Sequence, residues 1–158
     1  MDLTFHTPEG VFNYRVCAVI LHGNRLLAMK NQRKSHFFLP GGRVMLHESA
    51  QDAIVRELKE ELGIHVTNLR PLWLNQGFFT ENVTKQRFHE LCIYYLVDIS
   101  HTDLIHKPES FTLQEGARTN HFFWLPLETP QEQYLYPLFI KEKIHNLPRS
   151  LTMLTEYE

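Results

Sequence analysis

The chain lacks most features that would place it in a specialised class at once. It has two cysteines in 158 residues, Cys17 and Cys92, and neither stands in a C-x-x-C pair, which argues against a zinc ribbon. Each lies in an apolar, strand-like run, so buried free thiols are expected rather than a disulfide, and a reducing cytoplasm fits them. The ten histidines are scattered, and neither His47-Glu48 nor His89-Glu90 extends to H-E-x-x-H, so a zinc protease is not supported. No apolar run approaches the ~20 residues of a membrane span. The opening "MDLTFHTPEG" has neither the basic start nor the apolar core of a signal peptide. Charge of neither sign predominates, and a formal net charge of -2 leaves no general footprint for nucleic acid. Internal repeats, low-complexity segments and linkers are also missing.

What remains is a chain of ordinary composition, 43% hydrophobic and 22% charged, whose length suits a single domain over residues 1–158. "FNYRVCAVILH" alternates and is rich in strand formers; "HGN" marks a turn, and "RLLAMK" reads as a second strand. "NQRKSH" is a basic polar loop and "FFLPGG" a short apolar run that stops at proline and two glycines. "IHVTNLRPLWLNQGFF" holds one or two strands, and "RFHELCIYYLVDI" is the clearest strand of all. A polar stretch from Ser100 to Asn120 is expected to be a loop with room for a short strand. "HFFWLPL" is a further strand, and "YLYPLFIKEKIHNL" has helical periodicity. Strands around one central helix, with a second helix near the end, point to a mixed sheet with helices on its faces.

The central helix is the informative segment. "SAQDAIVRELKEELG" predicts a helix over Ala50 to Leu62, with Ser49 as its N-cap and Gly63 as its left-handed terminator. At the helical period, Ile54, Val55, Leu58 and Leu62 form the core-facing arc. Glu57, Glu60 and Glu61 form a second arc that borders it, and Ala50 and Ala53 are expected on that carboxylate face, leaving room for something to approach. Like charges three and four residues apart cost a few tenths of a kcal/mol each in water. In a cleft of lower dielectric they cost more, and a hard divalent cation with oxygen ligands would remove that cost. Taken alone, E-x-x-E-E is more often a solvated acidic face.

The residues before the helix decide between the two. Residues 42–64, "GRVMLHESAQDAIVRELKEELGI", resemble the Nudix box G-x5-E-x7-R-E-U-x-E-E-x-G-U, where U is aliphatic. Gly42, Glu48, Arg56, Glu57, Glu60, Glu61 and Gly63 fill every fixed position, and Leu58 and Ile64 fill the aliphatic ones. The preceding "LPGG" resembles the usual lead-in, and "HFFWLPLETPQEQYLYPLFIKEKI" resembles the strand, W-x-P segment and closing helix of many members. The resemblance implies an α/β/α sandwich around a mixed β-sheet. It also implies hydrolysis of a nucleoside diphosphate linked to another moiety, such as a nucleoside triphosphate or a nucleotide sugar, assisted by Mg²⁺ or Mn²⁺. It assigns Glu57, Glu60 and Glu61 as metal-binding and base carboxylates, with Glu57 either ligand or general base and the carbonyl of Gly41 as a further ligand. Arg56 is implied to orient Glu57 and brace the loop, and Glu48 to tether the loop to the helix. Glu90, a carboxylate in the strongest strand, would join the metal shell or position the attacking water if its strand lies beside the helix.

The substrate is less legible. ADP-ribose-specific relatives often carry a proline downstream of the box, and dinucleoside polyphosphate relatives a tyrosine; "NQGFFTEN" has neither. The coenzyme A signature before the box is also missing. Tyr14 and Phe79 are candidates for stacking on a base, against the commoner role of strand aromatics as core. Lys30, Arg33 and Lys34 form a small basic cluster able to meet phosphates. The expected partner is thus a small-molecule nucleotide, without nucleic acid or membrane, and a homodimer is compatible with the chain. A non-catalytic nucleotide sensor of the same type is the alternative, disfavoured by the complete box.

Overall fold

The alternating run around Cys17 becomes the strand on which the molecule is organised. In the computed structural model, which describes residues 1–32, 34–129 and 134–158, this strand is β2, Gly10–His22, preceded by β1, Thr4–Thr7. Along one edge β2 pairs in parallel with β6, Arg87–Val97, from Val11↔Phe88 to Ile20↔Val97. Its other edge is shared in turn by β1, by the short β4 (Gly41–Arg43) and by β3 (Arg25–Lys30). Beyond β6 lie β5 (Leu69–Thr80) and, parallel to it, β9 (Thr152–Tyr157). Beyond β3 lie β8 (Arg118–Pro126) and β7 (Ser110–Glu115). The nine described strands make one mixed sheet.

Strand alternation sends the side chains of β2 to two separate cores. Val16, Ala18 and Ile20 pack with Ile54, Leu58 and Leu62 of α1, Ala50–Leu62. Cys17 and Val19 pack on the opposite face with Trp73, Tyr94 and the Ile140 and Ile144 side chains at and just beyond α2, Phe139–Lys143. A helix on each face of a mixed sheet is the sandwich expected from the box. Cys17 and Cys92 are buried free thiols, with their sulfurs 3.6 Å apart. No described helix is long and apolar enough to cross a membrane.

Three elements differ from the expectation. The polar stretch after Ser100 contains a short 3₁₀ turn, Asp103–His106, and the whole of β7. Strands β1 and β9 form from mostly exposed residues and exist through pairing with β2 and β5. The closing helix is only Phe139–Lys143, since Leu138 offers no side-chain cap and Pro137 precedes it.

Candidate active site

The acidic helix begins and ends as its sequence requires. Ser49 Oγ accepts a hydrogen bond from the Asp52 amide at 3.0 Å, and Gly63 adopts φ 68°, with its amide donating to the Lys59 carbonyl. The orientation differs in one respect from the expected wheel. Ala53 is fully buried in the core beside Ile54, so it does not leave open space on the carboxylate face. Glu61, at the border of the two arcs, is likewise buried, at 7% exposure.

Glu61 is buried and Glu57 half-buried, and the charge of Glu57 acts on Glu61. Glu61 Oε1 accepts from the Gly41 amide at 2.9 Å. Its carboxyl is nonetheless pushed well above the usual glutamate range, first by burial and then by the charge of Glu57. Glu57 is also raised, chiefly by burial, against the lowering effect of Arg56. Gly41, just before the box, and Gly42, its first residue, both serve this packing. Gly41 holds φ 153°, and a β-carbon there would run into the Val16 carbonyl and come within 2.8 Å of the Cys17 Cα. A β-carbon on Gly42 would collide with the Glu57 carboxyl itself.

Arg56 folds across the acids. Its Nε and Nη2 meet the two oxygens of Glu48 at 2.7 and 3.0 Å, a two-point contact that a planar guanidinium suits. Nη1 reaches Glu57 Oε1 at 2.8 Å and Glu60 Oε2 at 3.4 Å, while Nη2 also donates to the Arg43 carbonyl at 3.0 Å. Glu48 in turn accepts from the Met45 amide at 2.9 Å, and Arg56 holds its carboxyl below the usual range. One side chain therefore ties β4, the loop and the helix together. Glu60, with 44% of its side chain exposed, lies at the outer edge of this group.

Sequence reasoning missed one acid. Glu115 ends β7, whose Phe111 and Leu113 pack against the α1 core, so alternation turns Glu115 to the same side. Its charge acts on both Glu57 and Glu61, and its Oε1 accepts from the buried Asn120 amide at 3.0 Å. The available signal was the alternation in "SFTLQEG" inside a stretch that polarity marked as loop. Glu57, Glu60, Glu61 and Glu115 thus approach one region with oxygen donors only. Among the described residues no three acidic, histidine or cysteine groups are placed so as to hold a metal ion, and one oxygen each of Glu57 and Glu61 accepts from Arg56 and from the Gly41 amide.

The remaining candidates are dispersed. Glu90 shares its face of β6 with Cys92 and Tyr94, which belong to the α2-side core. It is therefore turned away from α1 and is not brought to the helix glutamates; its Oε2 accepts from Asn13 Nδ2 at 3.4 Å. Tyr14 is half-buried against the α1-side core, and burial raises its hydroxyl pKa. Phe79 stacks on Phe88 with centroids 5.0 Å apart, beside an open hollow of about 500 Å³ at the sheet end. Lys30 lies over the Phe37 ring at 4.9 Å. Arg33 lies outside the described residues.

Compared with known proteins, residues 11–143 match the model of the NUDIX domain. The chain belongs to the NUDIX family. Within that family, an ADP-ribose pyrophosphatase of Methanocaldococcus jannaschii is 32% identical over 87 residues, covering 53% of this chain and 49% of that protein. The matched segment thus spans about half of that relative's length. The fold is similar to that of a MutT mutator protein of Bacillus halodurans, with a TM-score of 0.62 at 14% identity over 92% of this chain and 89% of that one. It is also similar to an ADP-ribose pyrophosphatase of Streptococcus suis, with a TM-score of 0.55 at 18% identity over 91% and 98%.

Proposed function

We propose that this NUDIX chain is a pyrophosphohydrolase that cleaves the diphosphate bridge of a nucleoside diphosphate linked to a second group, using Mg²⁺ or Mn²⁺. The observation that carries the proposal is the pairing of Glu57 with Glu61. A buried carboxylate beside a half-buried one, each made harder to ionise, is a costly arrangement that a divalent cation would offset. The donors are all hard oxygens, which suits Mg²⁺ and Mn²⁺. Glu60, Glu61 and the carbonyl of Gly41 are assigned to hold the cation, with Glu115 adding a carboxylate from β7. When bound, the cation supplies neutralisation of the diphosphate oxygens and a more acidic water.

The chain's own groups supply the rest. Arg56 fixes Glu57 through Oε1, leaving Oε2 to take a proton from the attacking water. Burial raises the basicity of that carboxylate, which brings it closer to the range useful to a general base. Glu48, anchored to Arg56 and the Met45 amide, keeps the Arg56 fork in register. The relatives named as ADP-ribose pyrophosphatases make ADP-ribose a member of the substrate class to test, although "NQGFFTEN" lacks the proline common in that group. A panel of nucleoside triphosphates, nucleotide sugars, ADP-ribose and dinucleoside polyphosphates, with products identified, tests the proposal. Release of a nucleoside monophosphate or pyrophosphate from at least one member is expected. Inertness toward all of them, with both metals, would overturn it.

A further inference from the structure

The sheet face turned away from α1 carries a second concentration of charge, of the opposite sign. On that face of β2, Arg15 stands between Asn13 and Cys17, matched across β6 by Glu90, Cys92 and Tyr94. Arg15 is half-buried, yet among the described residues its guanidinium makes no hydrogen bond and no ion pair. The nearby Glu90 carboxylate favours the Arg15 charge without bonding to it. Lys34, from the loop after β3, reaches over the Phe38 ring at 4.9 Å, and its ammonium is lowered in pKa by burial and then by Arg15. Two cations in range of each other, one of them unpaired, mirror the crowded glutamates of α1. Where those call for a cation, these call for an anion.

Their place relative to the carboxylates is informative. Cys17 follows Arg15 on the same face and is the register partner of Gly41, whose amide holds Glu61. Glu61 feels Cys17, and Cys17 feels both Arg15 and Lys34. Cys17, in register with Gly41 and next to Arg15 on its face, thus links the acidic side of the strand to the basic one. Across the strands the row continues Arg15, Cys92, Asn75. Asn75 is only 5% exposed, and its Oδ1 has no hydrogen-bond partner. Glu90 lies opposite Gly77, where no side chain fills the next position; even an added β-carbon would meet nothing closer than 3.6 Å. One end of this floor is cationic, and the other offers oxygen acceptors.

We propose that Arg15 and Lys34 form an anion subsite for the phosphate adjoining the attacked one, with Glu90 and Asn75 Oδ1 accepting hydrogen bonds from hydroxyl or amino groups of the attached nucleoside. This deepens the hydrolase reading and rests on it. Glu90 then serves substrate binding on the α2 face, and the carboxylate that complements the helix is Glu115.

The test is calorimetric titration of inorganic pyrophosphate into the chelator-treated chain, so that neither turnover nor metal enters. Wild type should bind, and R15Q should bind about tenfold or more weakly, the scale of a lost charge-assisted contact. R15K, which keeps the charge, should stay within about threefold of wild type, and K34Q should weaken binding by about threefold. E57Q should bind no more weakly than wild type, because it removes a neighbouring negative charge. Circular dichroism checks the fold of R15Q; should that variant not fold, K34Q, in the loop after β3, decides. Absence of binding by wild type, or R15Q and K34Q equal to wild type, would overturn the subsite. A chain that binds pyrophosphate in this way yet hydrolyses no nucleotide would instead sink the hydrolase proposal and leave the subsite standing.

Discussion

Glu61 concentrates the physical cost of the site in one side chain. It is buried, faces Glu57, and has the Gly41 amide as its hydrogen-bond donor. Its carboxyl binds a proton more tightly in the folded chain than in the unfolded one. That contribution to stability is present below the ordinary glutamate pKa and is lost as pH rises through the raised folded value. In chelator, the melting temperature of wild type should therefore carry a component that falls with rising pH, and E61Q should remove it. Parallel melting curves for the two proteins across this range would contradict the burial argument. Arg56 presents the converse case, a charge with several acceptors. R56K keeps the charge but cannot serve Glu48, Glu57 and the Arg43 carbonyl together. It should lose about 1 kcal/mol in denaturant unfolding, the cost of partly stranding half-buried acceptors, and kcat should fall with it. Unchanged stability and kinetics would reduce the clamp to a surface ion pair.

At the scale of elements, α1 was legible because every determinant is local: a serine cap, a glycine stop and an unbroken helical period between them. Strands β2, β3 and β6 were legible for the same reason. The strands that escaped, β1, β9 and much of β7, carry polar residues on an exposed face and depend on partners distant in the chain. Glu115 escaped with β7, and the role of Glu90 stayed conditional on its strand's orientation because period-2 alternation does not say which face α1 will cover. The closing helix was overextended because its start is supported from β9 rather than from its own sequence. Glu156 Oε2 accepts from the Phe139 amide at 3.1 Å, and burial followed by the Glu158 charge pushes its pKa up to about 7. Stability from this group is present below the ordinary value of 4.5 and is lost as pH rises through about 7. E156Q should flatten that part of the stability curve, read as the melting temperature between these two pH values. A wild-type slope retained in E156Q would show that the carboxyl does not couple the helix to β9.

For the molecule as a whole, β2 is the common support. One strand carries β4 and the α1 core on one side, and the cationic Arg15 face on the other. An acidic helix on one face of β2 and a basic patch on the other, linked by the pairing of Cys17 with Gly41, are suited to a substrate that is anionic along its bridge and needs a cation on one side of it. The box motif revealed the first half of this arrangement, while the second depended on which residues the sheet placed back to back. The central claim is that the helix carboxylates hold a catalytic divalent cation. It is tested most directly by titrating Mg²⁺ into chelator-treated protein and following hydrolysis of whichever panel nucleotide is cleaved fastest, for wild type and E61Q together. Turnover should be absent in chelator and rise saturably in wild type, with kcat of E61Q lower by roughly 10²-fold or more, the scale of a lost electrostatic stabiliser. Full turnover in excess chelator, or an E61Q titration superimposable on wild type, would contradict it.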